Sequence, residues 1–167
     1  MDLELTGKRA VVTGGSRGIG LAVARALAAE GCDVALVARD KAALDAARES
    51  IAGDSGRTVL ALPCDTGDDD SVAAMAAEVT AGLGGADILV NAAARANTGA
   101  AVGIDGFDAA DFGEQVNVKV LGYLRCIREV VPLMRAAGWA GSSTSAARPP
   151  GPPGRSPARS ATWPSPP

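Results

Sequence analysis

The sequence predicts an α/β domain built on a doubly wound parallel sheet. Short apolar, β-branched runs alternate with longer amphipathic segments from Lys8 to about Val131, and a glycine-rich turn joins the first run to the segment after it. With 167 residues, of which 47% are hydrophobic and 21% charged, the chain fits one globular domain. Each element can therefore be assigned within the α/β class.

Four apolar runs are expected to be parallel strands buried on both faces. They are residues 9–13 (RAVVT), 34–38 (VALVA), 58–63 (TVLALP) and 88–91 (ILVN). Other segments are rich in Ala, Leu, Glu and Arg and carry apolar residues at three- and four-residue spacing, which is typical of helices that cover a sheet. The predicted helices are residues 19–30, 41–52, 71–83 and 112–131, and Pro132 marks the last turn of the fourth helix or a kink in it.

The composition changes after Trp139. Residues 140–167 contain no Val, Leu, Ile, Met or Phe and hold eight of the ten prolines. A stretch so rich in Pro, Gly and Ser predicts a disordered tail that builds no core, with a PxxP ligand for an aromatic groove as the lesser alternative. We expect the folded domain to be residues 1–139 and the tail to be residues 140–167.

Composition also excludes several classes of function. The chain has no histidine, which excludes Ser-His-Asp hydrolysis and HExxH zinc chemistry. A net charge of −3 gives no broad reason to expect nucleic acid or an anionic membrane as a partner. Without a signal-like start or a membrane-length apolar run, the protein is expected to be cytoplasmic. Cys32, Cys64 and Cys126 lack metal-ligand or redox spacing, so we expect small, partly buried hydrophobes and no metal site.

The glycine-rich turn after the first strand, residues 13–20 (TGGSRGIG), predicts a dinucleotide site. Its glycines permit a tight turn and a close approach of the backbone to a pyrophosphate. The helix that follows offers unpaired N–H groups and the positive end of its dipole to the phosphates. The alternative is a turn that binds nothing. The expected cofactor-binding residues here are Gly14, Ser16, Arg17, Gly18, Ile19 and Gly20.

This turn resembles the TGxxxGxG fingerprint of the short-chain dehydrogenase/reductase family. Further similar features follow in order: Asp65 after the third strand, LVNAAA at residues 89–94 in place of LVNNAG, and Asn117 within VNVKVLGYL. The resemblance covers about residues 3–139 and is of the 3-oxoacyl-carrier-protein reductase type. It implies a Rossmann fold with strand order 3-2-1-4 and carbonyl/alcohol hydride transfer. It also implies that Asp65 binds the adenine amino group and that Asn91 lies at the strand end beside the adenosine ribose.

The charge near the second strand bears on the choice of cofactor. NAD-preferring family members usually have an acidic residue at the end of this strand, where this sequence has Ala38 followed by Arg39. Arg17 and Arg39 could both bind a 2′-phosphate through charge-assisted hydrogen bonds. NADP(H) is therefore favoured over NAD(H). Alternatively, Arg39 is a solvated residue diverted by Asp40, and Asp65 is only a turn residue.

Most of the family's catalytic residues have no counterpart in this sequence. The family uses a Tyr and a Lys in YxxxK, a Ser that orients the substrate and an Asn that anchors a water relay. Only Asn117 matches, because Lys119 and Tyr123 stand in reversed order and are expected to be surface and packing residues. We expect the chain itself to be catalytically incompetent. The alternatives to an oxidoreductase are a nucleotide-binding pseudo-enzyme and a nonfunctional gene remnant.

A shift of reading frame would explain the tail. Family members commonly continue as GRIVNISS, in which RIVNI is the fifth strand. Deleting one g from ggc cgg atc gtc aac atc gives codons for AGSSTS, the sequence at residues 140–145. We hypothesise that residues 140–167 are out of frame and that the fifth to seventh strands are absent. The fourth strand would then be an exposed edge, stability would be marginal, and a homo-oligomer through helix 112–131 is the remaining partner expected.

Overall fold

The computed structural model describes residues 3–94 and 108–138, and the backbone of residues 141–144. The first half of the fold is built from β1 (Arg9–Thr13), α1 (Gly18–Ala29), β2 (Asp33–Ala38), α2 (Lys41–Ser55), β3 (Val59–Pro63), α3 (Asp69–Leu83) and β4 (Ile88–Asn91). The second half consists of α4 (Ala109–Val116), a π-helical segment (Asn117–Leu121), α5 (Gly122–Ala136) and β5 (Gly141–Thr144). The strands form one 5-stranded sheet in the order β3-β2-β1-β4-β5, and every pairing is parallel.

The predicted strand order 3-2-1-4 is confirmed, but the prediction that β4 is an edge strand without a partner is wrong. Gly141–Thr144 pairs with β4 over its whole length, from Ile88 opposite Gly141 to Asn91 opposite Thr144. Without β5, the outer N–H and C=O groups of β4 would lack hydrogen-bond partners. The added strand satisfies them with its backbone, which requires no apolar side chain. The rest of the predicted tail lies outside the described residues.

The fourth helix differs from the single regular helix predicted for residues 112–131. It begins at Ala109, where the Asp108 side chain caps it by accepting a hydrogen bond from the Ala110 N–H at 2.8 Å, and it continues to Ala136. Pro132 lies inside α5. The π-helical segment between α4 and α5 widens the turns, a feature that periodicity in the sequence does not reveal.

Two apolar layers cover the sheet, as predicted for strands buried on both faces. Because side chains alternate along a strand, Val12 packs on the α1–α2 side whereas Val11 packs on the α3–α5 side. The three cysteines are buried, which confirms their prediction as small core residues. No helix within the described ranges is long and apolar enough to cross a membrane. With both faces covered, the carboxyl ends of β1 and β2 remain as the place where a ligand can enter.

Candidate dinucleotide site

A cleft of ≈ 260 Å³ lies at the carboxyl ends of β1 and β2. Residues predicted separately from the turn, from β2 and from β3 meet there. The predicted cofactor residues that line the cleft are Gly14, Ser16, Arg17, Ile19, Gly20, Arg39 and Asp65. Gly18, Asn91 and Asn117 are not among the residues that line it. The structure therefore brings most of the sequence-predicted residues into one site.

The glycine-rich turn is packed backbone against backbone. A Cβ on Gly14 would lie 2.6 Å from the Ala92 carbonyl oxygen, and a Cβ on Gly20 would overlap the Gly14 carbonyl oxygen. Gly18 has a φ of +57° with open space around it, so its need for glycine is conformational. Helix α1 begins at Gly18, and Arg17 provides no side-chain cap for its first N–H groups. These N–H groups suit an anion at the helix start.

Thr13 fixes the end of β4 beside this turn. Its fully buried hydroxyl accepts hydrogen bonds from the Ala92 N–H at 3.0 Å and the Ala93 N–H at 3.1 Å. Both alanines line the cleft. This role is not apparent from the sequence, although Thr13 opens the TGGSRGIG motif. The hydroxyl oxygen thus satisfies two backbone N–H groups that follow the last residue of β4.

The two predicted phosphate ligands are exposed at the cleft. Within the described part of the chain, neither Arg17 nor Arg39 forms an ion pair. Asp40, the acid expected to compete for Arg39, caps α2 instead, because its Oδ1 accepts a hydrogen bond from the Ala43 N–H at 3.0 Å. Ala38, at the end of β2, lines the cleft, and so does Asp40 two residues later. Two guanidinium groups and the Asp40 carboxylate thus share this end of the site.

Asp65 has the hydrogen bonds of a turn residue, and its predicted role at the adenine stays a prediction. Its Oδ1 accepts a hydrogen bond from the Gly67 N–H at 2.9 Å, and its own N–H donates to the Ser71 hydroxyl at 3.0 Å, as in a turn residue. The residue is nevertheless exposed at the cleft. Within the described residues its second carboxylate oxygen accepts no hydrogen bond. That oxygen is available to a ligand that carries an N–H donor.

Asn91 is a buried amide at the end of β4. It is fully buried, and neither its Oδ1 nor its Nδ2 has a hydrogen-bond partner among the described residues. Buried amides in native proteins are normally hydrogen-bonded. It does not line the cleft, and its predicted place beside the adenosine ribose stays a prediction.

A sequence profile of the short-chain dehydrogenase family matches residues 8–142. The chain belongs to the short-chain dehydrogenase family. It is 36% identical over 135 residues to a D-beta-hydroxybutyrate dehydrogenase from Rhizobium meliloti, covering 79% of this chain and 50% of that protein. It is 43% identical over 93 residues to a fatty acyl-CoA reductase from Mycobacterium tuberculosis, covering 56% of this chain and 31% of that protein.

Solved structures of short-chain dehydrogenases share the fold. The L-sorbose reductase of Gluconobacter frateurii, complexed with NADPH and L-sorbose, superposes with a TM-score of 0.79 at 37% identity, over 86% of this chain and 54% of that one. An NAD⁺-bound xylitol dehydrogenase superposes with a TM-score of 0.78 at 27% identity, over 84% of this chain and 53% of that one. The chain thus spans at most about half the length of these relatives, and they include binders of both nicotinamide cofactors.

Two residues considered for short-chain dehydrogenase chemistry lie away from the cleft lining. Asn117 begins the π-helical segment, and its Oδ1 accepts a hydrogen bond from Arg125 Nη1 at 2.9 Å. Its predicted catalytic role stays a prediction. Tyr123 lies half-buried in α5, where burial raises the pKa of its phenol. A raised pKa is opposite to what a tyrosine needs for acid/base work near neutral pH.

Proposed function

We propose that these 167 residues form the NADP(H)-binding part of an oxidoreductase acting on a small carbonyl or alcohol. The nicotinamide cofactor supplies hydride chemistry when it is bound, and this chain's residues bind and orient it. The observation that carries the proposal is the cleft at the carboxyl ends of β1 and β2, where the close-packed turn at Gly14 and Gly20 meets the start of α1. This arrangement fits a pyrophosphate.

The preference for NADP(H) over NAD(H) is part of the proposal. Its support is the pair of exposed guanidinium groups, Arg17 and Arg39, with Ala38 in place of an acid at the end of β2. A guanidinium forms charge-assisted hydrogen bonds with a phosphate, each contributing about 1.5–3 kcal/mol. One such interaction would change the ratio of the two dissociation constants by roughly 10- to 100-fold.

The test is a titration of the purified chain with NADPH and NADH, following nucleotide fluorescence and protein melting together. We expect saturable binding that is tighter for NADPH, with a raised melting temperature. Arg39→Ser should weaken NADPH binding by roughly 10-fold or more and NADH binding by less than about threefold. Arg48→Ser, at a half-exposed arginine of α2 that forms an ion pair only with Glu49 among the described residues, is the control and should change neither. Equal losses for both nucleotides would contradict the preference, and a cooperatively melting chain that binds neither would overturn the proposed function.

Binding without turnover is the second candidate for these 167 residues, as in a nucleotide-binding pseudo-enzyme. The observation that favours it is the position of the single tyrosine, Tyr123, half-buried outside the cleft lining. For a pseudo-enzyme, an assay of nucleotide oxidation with a panel of aldehydes and ketones should show no turnover although the nucleotide binds. A nonfunctional gene remnant would neither bind the nucleotide nor turn it over. If residues 140–167 are out of frame, resequencing should reveal the shift and restoring the frame should restore turnover. Turnover by the present chain would exclude this candidate.

We also propose that copies of the chain associate through the helix predicted at residues 112–131. Its support is a row of exposed apolar side chains, since Phe112, Val120 and Leu124 are 55%, 52% and 57% exposed. Leu124→Glu should convert an oligomer to a monomer in analytical ultracentrifugation. A monomeric parent chain would contradict this part of the proposal.

A further inference from the structure

We infer that Arg125 is a positioning residue for the adenine end of the cleft. It would act by holding the β3–α3 turn, defined here as residues 65–68, against the π-helical segment. The inference rests on the proposed function, because it concerns affinity for the nucleotide that the cleft is proposed to bind. It adds a residue that lies outside the cleft lining and that no sequence motif marked.

The β3–α3 turn carries Asp65 and Thr66 into the cleft. Short internal hydrogen bonds shape the turn: the Asp68 N–H donates to the Asp65 carbonyl oxygen at 3.1 Å, and the Asp68 carboxylate caps α3 by accepting from the Ser71 N–H at 2.7 Å. These bonds define the shape of the turn, and β3 and α3 hold its two ends, with the Cys64 N–H donating to the Ala38 carbonyl oxygen at 2.9 Å. Contacts from another element add to this anchoring.

Arg125 supplies those contacts from α5. Its Nη1 donates to Asn117 Oδ1 at 2.9 Å and lies 3.4 Å from both the Thr66 and the Asn117 carbonyl oxygens. Its Nε donates to Asp69 Oδ2 at 2.9 Å, at the start of α3. One guanidinium thus joins the π-helical segment, the turn and α3. The Arg125 side chain is only 17% exposed, so solvent screens these interactions less than at an open surface.

Asn117 and Gly122 complete the contact. Asn117 Nδ2 donates to the Gly67 carbonyl oxygen at 3.4 Å, on the far side of the amide that Arg125 orients. A Cβ on Gly122 would lie 2.8 Å from the Thr66 carbonyl oxygen, so the helix backbone approaches the turn directly. The Asn117 carbonyl also accepts the Gly122 N–H of the π turn. The close approach brings several backbone and side-chain oxygens together, and Arg125 donates hydrogen bonds to them.

Removing this guanidinium would take away the donor that the Thr66 carbonyl oxygen, Asn117 Oδ1 and Asp69 Oδ2 share. The turn would relax away from the helix and move the Asp65 carboxylate, whose hydrogen bond to a ligand depends on distance and angle. The affinity lost should therefore belong to the adenine end of a dinucleotide and should depend on Asp65.

The experiment compares Arg125→Met with Arg128→Met in the full chain. Arg128 shares Asp69 with Arg125 but is exposed and makes none of the turn contacts among the described residues, so it is the matched control. Dissociation constants for NADPH and for adenosine 2′,5′-bisphosphate are measured well below the melting temperature. We expect Arg125→Met to weaken both by at least about tenfold, and Arg128→Met to change either by less than about twofold.

A double-mutant cycle with Asp65→Ala separates positioning from general destabilisation. If Arg125 acts through the turn, Arg125→Met should add less than about twofold to the loss caused by Asp65→Ala. Additive losses, or unchanged affinity in Arg125→Met, would overturn the inference. Should Arg125→Met fail to fold, Arg125→Lys decides in the same cycle. A wild-type chain that binds neither ligand overturns the proposed function itself, so the two failures are distinguishable.

Discussion

At the scale of the residue, the glycines of the turn differ in what makes them necessary. Gly20 admits neighbouring backbone where any side chain would collide, Gly18 is required for its left-handed conformation, and Gly14 is required for both reasons, since its φ is +69°. The motif in the sequence identifies all three, but it does not separate these causes. At Gly14 the colliding atoms belong to Ala92, more than 70 residues away, whereas at Gly20 they belong to Gly14 within the turn.

Gly20→Ala should destabilise the chain by about 1–3 kcal/mol, because its methyl group would overlap the Gly14 carbonyl oxygen. The displaced turn should also bind NADPH at least about tenfold more weakly. Urea unfolding and nucleotide titration measure the two effects. Gly53→Ala is the control: Gly53 is exposed in α2 with no atom near its Cβ position, and alanine there should stabilise the chain by roughly 0.5–1 kcal/mol. Equal effects of the two substitutions would contradict the steric explanation.

A second residue-scale feature is the ion pair that joins β1 to the start of β4. Arg9 Nε donates to Asp87 Oδ2 at 2.7 Å and Nη2 donates to Oδ1 at 3.1 Å, while Nη1 donates to the Gly84 carbonyl oxygen at 2.8 Å. Asp87 is 4% exposed. The side-chain hydrogen bonds from Arg9 lower the pKa of the Asp87 carboxyl. Both carboxylate oxygens of Asp87 thus accept hydrogen bonds from Arg9.

Asp87→Asn should cost about 3 kcal/mol at neutral pH, because it leaves a partly buried guanidinium without its counter-charge. A carboxyl whose pKa is lower in the folded state contributes stability above its unfolded pKa and loses it as the pH falls through the folded pKa. The difference between wild type and variant should therefore shrink between about pH 5 and pH 2. Urea midpoints across this range measure it. A difference that is constant with pH would show that the pair is not the cause.

At the scale of the element, capping residues account for several boundaries that the sequence analysis missed. Helix α3 begins at Asp69, earlier than the predicted residue 71, because the Asp68 carboxylate accepts the Ser71 N–H at 2.7 Å. Strands β1 and β4 were predicted with their observed bounds, since an apolar run ends where burial ends. The π-helical segment was not predicted from the sequence. Its widened turns are accompanied by contacts from Arg125 and Gly122 to the β3–α3 turn, which is distant along the chain.

Asp68→Ala should lower the stability of the chain by about 1 kcal/mol, because the first turn of α3 loses its side-chain acceptor. Asp70→Asn is the control, since Asp70 lies exposed in the same first turn and contributes only its charge to the helix dipole, about 0.3 kcal/mol at an exposed site. Thermal unfolding measures both. A larger loss from Asp70→Asn than from Asp68→Ala would contradict the capping role.

At the scale of the whole molecule, β5 decides how β4 is completed. A chain ending at Thr144 should be as stable as the full chain if the remaining residues add no packing. A chain ending at Gly138 should lose about 1–3 kcal/mol, because each hydrogen bond of the β4–β5 ladder contributes about 1 kcal/mol net and ordering the strand offsets part of the gain. Urea unfolding of the three chains measures this. Equal stability of all three would show that β5 contributes nothing to folding.

The sequence by itself determined the α/β class, the four first strands, the order of three helices and the glycine-rich turn, because apolar periodicity and glycine spacing are local properties. It also located seven of the residues that line the cleft, since parallel strands place their carboxyl ends together. Only the tertiary structure decided the rest. The roles of Thr13, Arg125 and Asp87 depend on partners more than 50 residues away, and β5 forms because an open sheet edge recruits backbone regardless of side chains.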